Sequence, residues 1–331
     1  MLNFLLLIQL NSRIVINMYK YILKRILLMI PIIIGVSLLI FAILTIVPGD
    51  PGTMMLAGTG ASKEQIAQMN HELGYDQPFF SRYFSYMINL VTKGDFGKSY
   101  MTKLDVGKEI LSKIPISALV AFSAIFFATI IGTPIGVLSV VKQYSAFDYV
   151  PTFVAMFLAS APSFVIGLLL MLLFCCTLHW LPTGGIGSWK NFVLPMLALG
   201  LPYASQQMRF TRSSMLETYR QDYIRTARAK GVPEKRVIWH HAMTNALLPV
   251  ITIVGVNFGG LLGSAIVTET LFSIPGLGTF IVNGIKQQDM PVVMGGIIVL
   301  ATMYSLLMLL VDLVYAFADP RIKAKYKGER S

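Results

Sequence analysis

Charge is what this sequence has least of. Asp, Glu, Lys and Arg make up 13% of its 331 residues, about half the share in a soluble domain, while 55% are hydrophobic. That balance argues against a soluble globular protein and for a chain that crosses a membrane several times. Cysteine is scarce as well. Cys175 and Cys176 are adjacent within an apolar run, which excludes a disulfide framework or a zinc ribbon. His179, His240 and His241 stand at no metal-ligand spacing with Cys or carboxylates, so no metal site is expected. There is no G-x-x-x-x-G-K-[ST], G-x-S-x-G or H-E-x-x-H. The chain therefore reads as no enzyme and as binding no cofactor of its own, and any energy it uses has to come from a partner. Acidic residues are few, and the net charge is +11. The bases, however, lie beside apolar runs, and no aromatic-interleaved basic domain stands clear of them. The implied partner is the lipid bilayer and not nucleic acid.

What is abundant is long apolar runs. Residues 26–47, 116–141, 150–177, 192–208, 247–270 and 292–317 predict six transmembrane helices in an all-α polytopic protein. Prolines 134, 162, 195 and 202 fall inside these runs, where neighbouring helices can satisfy the freed backbone groups. Lys20, Lys24 and Arg25 precede the first run and place the N-terminus in the cytoplasm; six spans then place the C-terminus there too. On that topology 18 of the 27 Lys and Arg lie inside, eight of them in 209–246. Seven of the nine outside belong to one long lobe, whose charges count little.

The organisation follows. Residues 18–47 are a cytoplasmic N-terminus and the first span, and 48–113 a small helical extracytoplasmic lobe. Residues 114–317 are the transmembrane core, and 318–331 a cytoplasmic tail. In the lobe, Ser62-Lys63-Glu64-Gln65 reads as a capping box whose helix stops near Gly74. Gln77-Pro78 opens a second helix with Phe79, Phe80, Tyr83, Phe84 and Tyr86, ending at Lys93-Gly94; its apolar face is expected to pack on the membrane domain. Residues 1–17 have too short an apolar stretch to span and no small-residue cleavage site. Met18 reads as the start, with 1–17 either a start-site artefact or an interfacial extension.

The stretch 222–249, DYIRTARAKGVPEKRVIWHHAMTNALLP, departs from the apolar pattern. Asp222 is expected as an N-cap, Arg228 and Lys230 in the last turn, Gly231 as the residue past the C-cap, and Pro233-Glu234 as the opening of a second helix. An ordinary basic loop would explain the charge but not this order of caps. Further along, Gly255, Gly259 and Gly263 recur every four residues, beside Gly260. Two readings stay open for this stripe: packing within the chain, or a seam against a second membrane-spanning chain. Asn257, in mid-span, is a candidate for lining a pathway. Glu269, at the outer end of its span, either meets a substrate amino group or sits in the interface. Asp312 is expected to pair with Arg321 or a loop arginine.

The run Arg225-Thr226-Ala227, with Gly231 four residues after Ala227, resembles the EAA loop of ABC-transporter permease subunits: E-A-A, three residues, then G. Leu216, Ile238 and Met243 stand where that family places hydrophobic residues. Arg in place of Glu is the form of the branch that imports dipeptides, oligopeptides and nickel. Thr244 departs from that branch, which more often has a basic residue or proline there. The resemblance runs on through PGDP (48–51), GDFG (94–97), HWLPTGG (179–185), PGLG (275–278) and DP (319–320), so it covers nearly the whole chain from Met18.

It implies a subunit of a bacterial ABC importer in the cytoplasmic membrane, with di- or oligopeptides as cargo and nickel or a metal chelate as the alternative. It also implies a second homologous permease, two ATP-binding subunits carrying the ATP and Mg, and an extracytoplasmic substrate-binding protein. On the same resemblance, Asp222, Arg225, Thr226, Ala227, Arg228, Ala229, Lys230 and Gly231 form the helix that sits in a groove of the ATPase. Ala227 and Ala229 would keep it slim, and Arg225 and Arg228 would pair with acidic groups of the partner. A secondary transporter working alone needs ionisable residues deep in the spans or paired broken helices in related halves; few of the former and no repeat are evident.

Overall fold

The computed structural model describes residues 2–46, 49–56 and 58–318, with side chains over 22–314 of these except Leu248. The described residues form helices joined by loops, with no strand among them, and one isolated β-bridge between Lys98 and Asp105. Helix α1 (Leu2–Ile46) leads into a lobe of α2 (Pro51–Met55), α3 (Lys63–Glu72) and α4 (Phe79–Lys93). Then come α5 (Val106–Val141), α6 (Ala146–Ser160), α7 (Ser163–Met171), α8 (Val193–Tyr219), α9 (Asp222–Ala229) and α10 (Glu234–Arg236). The chain ends in α11 (Met243–Leu271), α12 (Leu277–Lys286) and α13 (Met290–Ala318).

Local signals set the lobe boundaries. Ser62 Oγ accepts from the Gln65 N–H, and the Gln65 side chain accepts from the Ser62 N–H, so both halves of the expected capping box are made. Helix α4 starts after Pro78 and stops at Gly94, whose φ of +63° lets its N–H close back on the Leu90 carbonyl at 3.0 Å.

Among the described residues four helices are long and apolar enough to cross a membrane: 22–46 of α1, α5, 249–271 of α11, and 290–314 of α13. Two of the six expected spans take another form. The third is broken: α6 and α7 meet at 102°, because Pro162 drives Ala161 into extended backbone (φ −83°, ψ 130°) and cannot continue the hydrogen-bond ladder. The fourth lies in α8, which is 27 residues long but carries Gln206, Gln207, Arg209 and Arg212 in its second half, too polar for a lipid-facing span. Helix α8 instead occupies the middle of the bundle, packed on α5, α6, α7 and α11. Its Gln207 is fully buried and donates to Thr133 Oγ1 at 3.3 Å.

The α5–α8 contact uses a small-residue stripe that escaped the sequence reading. A Cβ on Gly132 would stand 2.4 Å from the Ala204 carbonyl oxygen, and one on Gly136 2.6 Å from that of Met208. At both places the helices touch backbone to backbone. Gly132→Val is therefore expected to destabilise the fold by about 1–3 kcal/mol or more, read as a lower unfolding midpoint in detergent. An unchanged midpoint would show that the helices part freely.

Helix α1 rests on α13, and Arg25 Nη2 lies 3.1 Å from Asp312 Oδ2. The partner of Asp312 is thus an arginine of the first helix. Arg321, the other expected partner, lies outside the described residues.

Candidate functional site

Helix α9 stands at the end of α5 opposite the lobe. Its N-cap is Gln221 (φ −71°, ψ 149°), with no side-chain cap bond, and Asp222 is the first helical residue. This corrects the expected cap by one position, although Asp222 still lies at the positive end of the helix. The other end closes as expected. With Gly231 at φ +74°, its N–H donates to the Arg228 carbonyl (2.9 Å) and the Val232 N–H to that of Ala227 (3.2 Å), a Schellman closure.

The faces of α9 divide cleanly. Ile224 and Ala227, three residues apart, are buried with Met215 of α8, Val137 and Val140 of α5, and Val237, Ile238, Ala242 and Ala246 on the approach to α11. One small apolar cluster thus ties α9 to the ends of three long helices. Ala227 belongs to this base, so its small size lets α9 approach its own chain; Ala229 is the alanine on the open side. Asp222, Tyr223, Arg225, Thr226 and Lys230 are exposed with it.

Arg228 is committed within the chain, against the expectation that it is free for a partner. Its Nε and Nη2 donate to Glu234 Oε2 and Oε1 at 3.1 and 2.8 Å, and its guanidinium lies 4.2 Å from the Tyr219 ring centroid. The Tyr219 hydroxyl donates to Glu234 as well. Among the described residues Arg225 pairs only with Asp222, at 3.8 Å, and both are exposed, so Arg225, like Lys230, is a cation presented outward.

The bonds from Arg228, and then that from Tyr219, hold the Glu234 carboxyl below its usual range. A depressed carboxylate stabilises the fold above the unfolded pKa, about 4.3 for Glu, and that contribution fades as pH falls through the folded value. The pair is half exposed, so Arg228→Ala is expected to cost under about 1 kcal/mol at neutral pH. The variant and parent should converge in unfolding midpoint only once pH has fallen through the lowered folded value of Glu234; a difference unchanged from neutral pH down to full protonation of the carboxylates would place the effect elsewhere than in this ion pair.

Between α10 and α11 the chain makes a π-helical turn over Val237–Ala242, with the His240 and His241 rings edge-on at 5.2 Å. Beside the α9 base lies a buried ion pair that sequence reasoning missed. Asp148 is 2% exposed, and its Oδ1 and Oδ2 accept from Arg212 Nε and Nη2 at 2.7 and 2.9 Å. Ser139 Oγ donates to Oδ1 at 2.5 Å, and the Tyr144 N–H to Oδ2 at 3.2 Å. The cluster joins α5, α6 and α8. Nothing in the spacing of residues 139, 148 and 212 announces it.

The remaining candidates do not converge on one site. In the glycine stripe, Gly255 faces Val311 and Gly259 faces Tyr304 and Met308 of α13, so these two pack within the chain; only Gly263 faces open space. Asn257 is buried, with no hydrogen-bond partner for its Nδ2 among the described residues. Glu269 is fully buried. Its Oε2 accepts from the N–H groups of Gly278 and Thr279 at 2.8 and 3.3 Å, so it caps the start of α12. Ser117 Oγ accepts from the Leu277 N–H at 2.7 Å in the same turn. Among the described residues, no three of His, Cys, Asp and Glu gather where they could hold a metal ion.

A polytopic all-α bundle with a short capped helix clamped across the ends of its long helices has the architecture of a transporter's membrane subunit. Residues 132–324 match the family described as binding-protein-dependent transport system inner membrane component, and 18–121 match the corresponding N-terminal family. The chain belongs to this family of ABC-transporter permeases, multi-pass inner-membrane components that work in complexes with other transporter subunits and are not enzymes.

The chain is 40% identical to the dipeptide transport system permease protein DppB of Alkalihalophilus pseudofirmus, over 92% of this chain and all of that one. It is 38% identical to the glutathione transport system permease protein GsiC of Salmonella typhimurium and to DppB of Escherichia coli, in each case over 93% of this chain and the whole relative. Among solved structures, the inward-facing MetNI methionine ABC transporter shares the fold, with a TM-score of 0.56 at 16% identity over 64% of this chain and 96% of that one.

Proposed function

We propose that this chain forms, with a second homologous permease, the pathway by which di- and oligopeptides enter the cell, powered by two ATP-binding subunits and supplied by an extracytoplasmic binding protein. The observation that carries the cargo assignment is end-to-end identity of 38–40% with permeases of dipeptide and glutathione systems. The coupling role of 222–231 is supported by the way α9 is built, with one face fixed on α5, α8 and the approach to α11 and the other face open. In this scheme both termini and α9 are cytoplasmic, ATP and Mg stay on the partner subunits, and closure of the ATPases tilts the long helices through the α9 base. Arg225 and Lys230, with Ala229 between them and the partner, form the surface that meets the ATPase.

The test is uptake of labelled dipeptide, pentapeptide and nickel in cells lacking the gene and in complemented cells. Loss of peptide uptake alone supports the assignment and reports the size preference. Loss of nickel uptake alone moves the cargo to the metal and leaves the coupling scheme intact. If neither changes in cells without another peptide importer, the cargo assignment is withdrawn.

A further inference from the structure

Helix α4 has two apolar faces, and the chain uses one of them. Phe79, Tyr83, Tyr86 and Leu90 turn inward; the Phe79 and Tyr83 rings meet Phe41 of α1 edge-on at 5.1 and 5.5 Å, and Met294 and Ile298 of α13 complete the cluster. On the adjoining face Phe80, Phe84, Ile88 and Val91, at i, i+4, i+8 and i+11, are 62, 57, 58 and 78% exposed. Ser81, Ser85, Asn89, Thr92 and Lys93 lie on the rest of the circumference. The apolar arc is therefore wider than the protein contact it makes. Four large apolar side chains in line gain by leaving water.

The depth of α4 says what covers them. The Tyr83 hydroxyl lies 2.9 Å from Ser37 Oγ and donates to the Ile34 carbonyl at 3.3 Å. Ser37 is nine residues back from Ile46, the last residue of the apolar stretch of α1, which is about 13 Å of helix rise. Tyr83 thus reaches well inside the hydrocarbon zone that α1 crosses, and α4 runs beside it within the leaflet on the lobe side. The side of α1 turned away from α4 is bare too: Ile32, Leu39, Ile43 and Ile46 are all exposed, so this flank of the bundle borders lipid.

We propose that α4 is an interfacial helix of the lobe-side leaflet, with Phe80, Phe84, Ile88 and Val91 against phospholipid acyl chains and its Ser81 and Ser85 edge at the headgroups. The lobe then reaches into the bilayer, where the sequence analysis expected the second lobe helix only to pack on the membrane domain. Its orientation is fixed by membrane as well as protein contact.

The test uses the full chain with Cys175→Ala and Cys176→Ala, carrying single cysteines in place of Phe84, Ile88, Ser81 or Ser85 and labelled with an environment-sensitive fluorophore. The variants are reconstituted in phosphatidylcholine–phosphatidylglycerol vesicles, alone and with the co-expressed transporter subunits. Spin-labelled acyl chains should quench positions 84 and 88 at least about twofold more than 81 and 85, with aqueous iodide giving the reverse order. Iodide quenching at 84 and 88 would place the face in water and overturn the proposal. Protection from both quenchers would assign the face to a protein neighbour and overturn it equally. Two positions on each face keep the result independent of any one variant that fails to fold.

Discussion

Ala227→Glu should abolish peptide uptake while leaving the protein in the membrane at its normal level. Ala227 is buried in the apolar cluster that holds α9 to α5, α8 and the approach to α11. A carboxylate there has either to ionise in an apolar pocket or to lift α9 away from it, and the first costs several kcal/mol. Lifting the helix is the easier outcome, because among its described residues Ile224 and Ala227 are the two buried side chains, and the Arg228–Glu234 pair beside them is half exposed. Each ~1.4 kcal/mol lost from docking makes the undocked state tenfold more populated. Uptake should therefore fall at least about tenfold while the ATPase subunits continue to turn over.

Gly231→Pro attacks the same joint through the backbone. It replaces a φ of +74° with one near −65° and removes the N–H that closes on Arg228. Ala227→Ser, which fits the same space, should keep most of the transport. Measuring uptake and ATP hydrolysis side by side decides the matter. Normal uptake with Ala227→Glu would remove α9 from the coupling path, whereas equal loss of both activities would point to failed assembly.

Arg212→Ala should have the largest effect on stability. It leaves Asp148 buried with Ser139 and one backbone N–H, and no cation, at the junction of α5, α6 and α8. Breaking one side of a buried pair typically costs about 3–5 kcal/mol, which in detergent should appear as a large fall in unfolding midpoint and a lower yield. Removing both charges tests the cause. Arg212→Leu combined with Asp148→Leu should recover much of the loss, because the penalty lies in the orphaned carboxylate more than in the missing attraction. If the double variant is no better than Arg212→Ala, the pair contributes geometry that apolar packing does not replace. The cluster lies beside the α9 base, so the single variant should also weaken transport in the protein that does fold.

Much of the architecture was written in local signals. The Ser62–Gln65 capping box, Pro78 and Gly94 bound α3 and α4 by rules that act within a few residues, and the structure keeps those boundaries. Gly231 closes α9 for the same reason, since a left-handed φ past a helix end favours glycine wherever the helix lies. Membrane character and helix content follow from 55% hydrophobic residues and 13% charge.

Tertiary structure decided which side chains meet. Gly255 and Gly259 have the same local pattern as an intersubunit seam, and only the position of α13 turns them inward. Gly132 and Gly136 earned no notice in the sequence, yet α8 lies directly on them. Glu269 and Arg228 looked available because a charge has no visible partner until the turn at 276–279 or the side chain of Glu234 is folded against it. Asp148 and Arg212 are 64 residues apart, and the depth at which α4 meets α1 is seen only once Tyr83 is found against Ser37 and Ile34. Capping and hydropathy act over a few residues or along a single helix and can be read in one dimension, whereas burial and pairing depend on which helices pack together, and that is a property of the folded chain.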